Sequence, residues 1–163
     1  MNQQLLKNRE AIELMGKLED ENRSNVLNAI NSIQEIPNLT GDDELKELKE
    51  YPVMRSTLKN LYVATARALI NIFNEDADFS CDEVNSFNYV EPLEVMLAAK
   101  YIKLLPKAFI GGPIKAALSH PYHKVQKIAV DYFDSLPDDL KYSDIFPTNF
   151  RSSVRVIRNQ LST

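Results

Sequence analysis

The sequence predicts an all-α protein, folded as one compact, irregular bundle of about seven to nine helices over residues 1–163. Three observations lead to this prediction. The 163 residues are the size of one domain, and 44% of them are hydrophobic, which is enough to form a core. Glycine is scarce, with only 4 residues, whereas long segments are rich in Leu, Ala, Ile, Lys and Glu, which favours helices. The alternation of apolar and polar residues that is typical of strands does not occur.

The first half of the chain divides into four predicted helices. Apolar residues recur at helical spacing over residues 3–18 and again over 22–36, after which Pro37 ends the second helix. A short helix is predicted over 40–51, because acidic residues occupy its first turn and a proline follows it. The segment 53–74 is the longest, and its apolar residues leave little polar face. We therefore expect it to be the central helix, with neighbours on several sides.

The second half begins with a connector over residues 74–91, which has room for one short helix. Pro92 then suits the first turn of the next helix. Pro137 and Pro147 bracket a short polar piece near the end of the chain. Helices are predicted over residues 93–105, 113–119, 122–136 and 149–161.

The composition limits the cellular compartment and the kinds of partner that we expect for this protein. Cys81 is the single cysteine, so no disulfide can form within the chain, which fits a reducing cytosol and a cytoplasmic protein. The N-terminus is polar and amphipathic, without the apolar core of a signal peptide, and we expect no contact with a membrane. The net charge is −4 and the pI is about 5.2, which disfavours nucleic acid as a partner.

The two histidines lie three residues apart, at His120 and His123. On one helical face they could share a metal ion, but a metal site needs further ligands and the chain has one cysteine. We expect His120 to cap a helix that Pro121 opens, and His123 to lie on the surface. Residues 76–87 imitate a calcium loop, but Cys81 stands where the turn needs glycine, and no glutamate closes the loop. The sequence predicts no metal, no cofactor and no catalytic residue, and therefore no enzyme.

Three arginines follow one face of the last predicted helix: Arg151, Arg155 and Arg158. Three interpretations are open at this point. The arginines could bind nucleic acid, lie on a solvated face, or pair with the acidic middle of the same chain.

Residues 116–136 predict two helices joined by a turn, and they resemble a HEAT-type repeat. The usual pattern in such repeats is Leu-x-Asp-Pro-x-x-x-Val-Arg-x-x-Ala. The chain matches this pattern at Leu118, Pro121, Val125 and Ala129. It departs from the pattern at His120, where Asp is common, and at Gln126, where Arg is common. The resemblance implies a HEAT-like bundle without the Asp–Arg ladder that often links neighbouring repeats.

The sharpest charge feature is the window from Ala68 to Ala99, which contains acidic and aromatic residues but no Lys or Arg. It could be a solvated acidic loop. An acidic surface with aromatic anchors can also steer and hold a basic protein. The residues predicted to bind such a partner are Asp76, Asp78, Asp82, Glu83, Phe87, Tyr89 and Glu91.

In size, charge and helical style the chain is similar to bacterial immunity proteins, some of which are HEAT-like and belong to contact-dependent growth inhibition systems. That resemblance implies a cytoplasmic inhibitor that covers the basic cleft of a toxin, in particular a nuclease domain, with an acidic face. Two alternatives stay open. One is a HEAT-like scaffold that binds another partner through an apolar groove near Tyr101 or Phe109. The other is a HEAT-like DNA-binding or repair protein, which needs a broad basic concave face.

Overall fold

Helices make up nearly all of the described structure. The computed structural model describes residues 2–35, 52–75 and 92–162, and the side chains of residues 9–34, 56–75 and 93–162. Within these ranges there are eight α-helices and no β-strand, which confirms the all-α prediction. The α-helices are α1 (Asn2–Lys17), α2 (Arg23–Ser32), α3 (Pro52–Glu75), α4 (Pro92–Tyr101), α5 (Gly111–Leu118), α6 (His123–Ser135), α7 (Asp138–Lys141) and α8 (Thr148–Leu161). Short 3-10 helices cover Ile33–Glu35, Ile102–Leu104 and Lys107–Phe109. The short helix predicted over 40–51 lies outside the described residues.

The helices alternate between two layers. In the first layer α1 packs on α3, and α3 packs on α5. In the second layer α2 packs on α4, and α4 packs on α6. Each helix of the first layer also contacts the next helix along the chain, so the pairs α1–α2, α3–α4 and α5–α6 are stacked in order. Helix α8 packs on α6 and on the edge of α5, which closes one end of the stack.

Helix α3 is the central element that the sequence predicts. It contacts α1, α2, α4 and α5. Leu58, Leu61, Tyr62 and Leu69 on this helix are fully buried. Thr65 is buried as well, and its hydroxyl donates a hydrogen bond to the carbonyl of Leu61 at 2.8 Å, so the polar group is satisfied within the helix. Among the described helices, including α3, none combines the length and apolar character of a membrane span.

The turn between α5 and α6 differs from its prediction. Helix α6 begins at His123 with Tyr122 as its N-cap residue, so the expectation that His120 caps the helix and Pro121 opens it is wrong by two residues. His120 is instead 1% exposed, and its Nδ1 accepts a hydrogen bond from the backbone N–H of Tyr122 at 3.0 Å. Gln126 Nε2 donates to the carbonyl of His120 at 2.7 Å. The two departures from the HEAT pattern therefore meet inside one turn and stabilise it.

Aromatic rings attach α8 to the rest of the bundle. Phe133 of α6 lies edge-on to Phe146, with ring centroids 5.0 Å apart, and edge-on to Phe150 of α8 at 5.8 Å. Phe146 and Phe150 stack at 5.2 Å. Such ring pairs add about 0.5–1.5 kcal/mol each beyond burial of their area. The buried ring of Phe146 therefore attaches the end of the segment between Pro137 and Pro147 to the core.

Candidate functional site

Three helix ends meet at the N-terminus of α2. Arg23, the first residue of α2, donates hydrogen bonds from Nε and Nη2 to Oε2 of Glu75, at 3.2 and 2.5 Å. Glu75 is the last residue of α3. The same guanidinium has Nε 3.8 Å from Oε2 of Glu94, in the first turn of α4. The Arg23 side chain is only 12% exposed, and it holds the end of α3 and the start of α4 against α2.

The turn between α1 and α2 positions Arg23 through its own polar side chains. Asp20 Oδ1 accepts a hydrogen bond from the backbone N–H of Asn22 at 2.7 Å. Asn22 caps α2, since its Oδ1 accepts from the N–H groups of Ser24 and Asn25. The Ser24 hydroxyl then donates to Glu94 at 3.4 Å. An Asp and an Asn spaced two residues apart therefore explain locally why α2 begins at Arg23.

A cleft of about 350 Å³ lies between this turn and the second half of α3. Buried apolar side chains form part of its lining, and charged side chains form its rim. The apolar lining includes Leu18, Val26 and Ile72, and the charged rim consists of Glu19, Asp20, Glu21, Arg23, Arg67 and Glu75. We call the five acidic residues Glu19, Asp20, Glu21, Glu75 and Glu94, together with Arg23, the acidic junction.

The partner-binding residues predicted from the sequence lie outside the described residues. They are Asp76, Asp78, Asp82, Glu83, Phe87, Tyr89 and Glu91, and Cys81 and the calcium-like segment lie there as well. The described helices nevertheless place both flanks of this segment. Glu75 precedes it and Pro92 follows it, and Arg23 holds those two helix ends beside each other. The described helix ends on either side of residues 76–91 therefore lie at the acidic junction.

Sequence reasoning missed Glu19, Asp20 and Glu21 as part of this site. They stand more than fifty residues before the acidic segment, so no local spacing connects the two. The run Glu-Asp-Glu between two predicted helices was the one visible signal, and it reads equally well as an ordinary polar turn. Only the packing of α1 and α2 against α3 brings it to the same cleft.

The two histidines differ in burial and position. His120 is buried ahead of α6 while His123 is exposed at its start, so they do not share a helical face. Among the described residues there is no group of three or more His, Cys, Asp or Glu side chains that could hold a metal ion.

The arginines of α8 contact their own half of the chain. Arg158 forms an ion pair with Asp134 of α6. Arg151 donates to the carbonyl of Phe146 at 2.8 Å, and its guanidinium lies 5.1 Å from the centroid of the Tyr142 ring. Of the three arginines, Arg155 is exposed. Two of the three arginines are therefore engaged by contacts within the C-terminal half. The partner of Arg158 is Asp134, which lies outside the window from Ala68 to Ala99.

Comparisons with known proteins provide no relative. No family model, no curated protein and no solved structure matches the chain.

Proposed function

We propose that the chain is an immunity protein that binds and neutralises a basic toxin, in particular a nuclease domain, in the cytoplasm. The observation that carries this proposal is the position of Arg23. By holding Glu75 and Glu94 together it brings both flanks of the acidic segment 76–91 beside the acidic turn of residues 19–21. Acidic side chains from three separate parts of the chain then converge at one end of the bundle.

The electrostatics of that end suit a basic partner. The acidic junction holds five acidic residues against Arg23, and among the described residues that line its cleft Arg67 is the one further cation. The attached segment adds Asp76, Asp78, Asp82, Glu83 and Glu91 without a single Lys or Arg. Like charges gathered over one region raise the rate of encounter with an oppositely charged protein. A nuclease cleft is lined by cations that contact phosphates, so an acidic surface of this kind can occupy it in place of the substrate.

The architecture supports the HEAT-type resemblance on which the proposal also draws. Helix pairs stack in order along the chain, with alternate helices in separate layers. Stacked pairs of this kind form a rigid framework from which loops and turns can present a binding surface. The mechanism proposed is stoichiometric: the inhibitor covers the cleft and takes part in no chemistry.

One alternative has an observation in its favour. A groove of about 540 Å³ runs between α5 and α8, and its apolar lining includes Leu118, Phe150 and Ile157. A scaffold that binds an unrelated protein through this groove would depend on apolar contact and respond weakly to salt. Neither Tyr101 nor Phe109, near which the sequence predicts an apolar groove, is among the residues that line the groove between α5 and α8. The contacts of Arg151 and Arg158 with their own half disfavour a DNA-binding role.

The test is co-expression of the chain with the product of the adjoining gene, followed by purification and measurement of binding kinetics. We expect an equimolar complex with a basic toxic protein, and an association rate that falls as salt is added. Glu19→Lys with Glu21→Lys, and separately Asp78→Lys with Asp82→Lys, should slow association. Asp139→Lys with Asp144→Lys, two exposed acids of the C-terminal half, is the matched control, because it changes the net charge by the same amount, and it should have little effect. Charge reversals that leave the association rate unchanged would refute the proposal.

A further inference from the structure

The cleft between the α1–α2 turn and α3 has an apolar lining beneath its charged rim. Leu18, Val26, Ala68 and Ile72 line it, and all four are buried members of the hydrophobic core. The cleft volume of about 350 Å³ lies within the range of about 300–1,000 Å³ that is typical of sites for small ligands. The cleft is therefore large enough for one long side chain of a partner.

The charged residues are unevenly placed along this cleft. Glu19 and Glu21 lie in the α1–α2 turn, and Arg23, directly after the turn, donates to Glu75 at 2.5 Å. Arg67 also lines the cleft, but it lies eight residues before Glu75, about 12 Å away along the axis of α3. Within the described residues no ion pair engages Glu19, Glu21 or Arg67. The cleft therefore has an acidic end, and one arginine stands farther along its α3 wall.

We propose that this cleft binds one long cationic side chain, Lys or Arg, of the basic partner. This inference rests on the proposed function and adds the contact that determines how long the complex lasts. Lys and Arg side chains consist of an apolar stem and a charged head. The stem packs against Leu18, Ala68 and Ile72, and the head lies at the acidic end, beside Glu19 and Glu21. A side chain anchored in a pocket of this kind holds a large share of the binding energy of an interface.

Other occupants complement the cleft less well. An apolar side chain would remove water from the carboxylates of Glu19 and Glu21 without giving them a partner, which costs free energy. An anionic group would meet Arg67, but four acidic side chains line the same cleft, and Arg23, the other arginine there, already engages Glu75. A cationic head on an apolar stem is therefore the complement of this lining.

The experiment measures the binding kinetics of the full chain with, as probe, the purified basic product of the adjoining gene. Ala64→Leu fills the cleft from its α3 wall without changing any charge, because Ala64 is half-buried and lines the cleft. We expect this variant to dissociate at least about tenfold faster, with the salt dependence of association unchanged. Ala66→Leu is the matched control, since Ala66 is half-buried on the same helix but does not line the cleft, and it should dissociate at the original rate.

A second variant tests the charge of the occupant. Arg67→Gln removes the cation from the α3 wall, so a complex with a cationic side chain in the cleft should dissociate about twofold more slowly. Lys59→Gln, an exposed cation of α3 that does not line the cleft, is the matched control and should dissociate at the original rate. If thermal unfolding shows that Ala64→Leu does not fold, Asn71→Phe fills the cleft from an exposed position on the same wall and should also dissociate at least about tenfold faster.

The other outcomes separate the two proposals. If the original chain binds the probe and the cleft-filling variants dissociate at the original rate, the cleft is not the contact, and this inference is refuted while the proposed function stands. If those variants dissociate faster but Arg67→Gln does not slow dissociation, the occupant is not cationic and the inference is wrong. If the original chain does not bind the probe, both proposals fail.

Discussion

A double-mutant cycle on Arg23 and Glu75 measures how strongly the acidic junction holds α3 to α2. The variants are Arg23→Met, Glu75→Gln and the two together. Two hydrogen bonds to one carboxylate oxygen and 12% exposure of Arg23 favour a strong pair, but Glu75 is 57% exposed and screened by water. Exposed pairs couple by about 0.2–1 kcal/mol, and hydrogen bonds to charged groups contribute about 1.5–3 kcal/mol. We therefore expect a coupling free energy of about 1 kcal/mol, between these limits.

The assay is urea unfolding followed by circular dichroism, and the cycle isolates this pair from the contact of Arg23 with Glu94. Lys127 and Asp131 provide the control within the same protein. They form an exposed i,i+4 pair at 2.8 Å on α6, for which about 0.3–0.5 kcal/mol is expected. A coupling between Arg23 and Glu75 no larger than that of the control would show that Arg23 does not anchor the end of α3.

Two further predictions concern the framework of the bundle. Gly16→Ala should stabilise the fold by about 0.5–1 kcal/mol, because a Cβ added at this helical position meets no atom within 4 Å. Gly111→Ala should destabilise the fold, because its Cβ would lie 3.0 Å from Cγ2 of Ile145. The midpoint temperature of thermal unfolding should therefore rise for Gly16→Ala and fall for Gly111→Ala, by about 2–4 °C per kcal/mol. Shifts of the same sign would contradict the packing at these two glycines. Burial raises the pKa of Tyr101 above its ordinary value of 10.0, so the unfolded chain loses this proton first and stability falls as the pH rises above 10. Urea unfolding at pH values below and above 10 measures this loss of stability, which should be smaller in Tyr101→Phe than in the original chain. An unchanged pH dependence would refute the assignment to Tyr101.

Helix positions could be predicted because their signals are local. The apolar period predicted a central helix over 53–74, and the structure has it over Pro52–Glu75. The last helix was predicted over 149–161 and begins one residue earlier, at Thr148. In both cases a proline precedes or opens the helix and the apolar stripe extends to its end, so neighbouring residues alone determine the bounds.

The turn before α6 shows where local reasoning fails. A proline after a polar residue predicts a capped helix start, and His120 followed by Pro121 fits that pattern. The structure buries the His120 ring against Phe73, with centroids 6.4 Å apart, so tertiary packing and not capping determines its role. Phe73 lies 47 positions earlier in the chain, on a helix whose partner elements cannot be deduced from its own pattern.

Charge pairing explains why the acidic junction, and not the whole surface, is the candidate site. In the C-terminal half Asp131 and Asp134 are paired with Lys127 and Arg158, so much of the field there cancels. At the junction one arginine engages two carboxylates and keeps them close despite their mutual repulsion. Within the described residues no ion pair engages Glu19 or Glu21. In the proposed function the charge of Glu19 and Glu21 steers the basic partner toward this end of the bundle, while Arg23 engages Glu75 and Glu94. The sequence could not predict the pair Arg23–Glu75 or the pair Arg158–Asp134, because the partners are 52 positions apart in the first and 24 positions apart in the second.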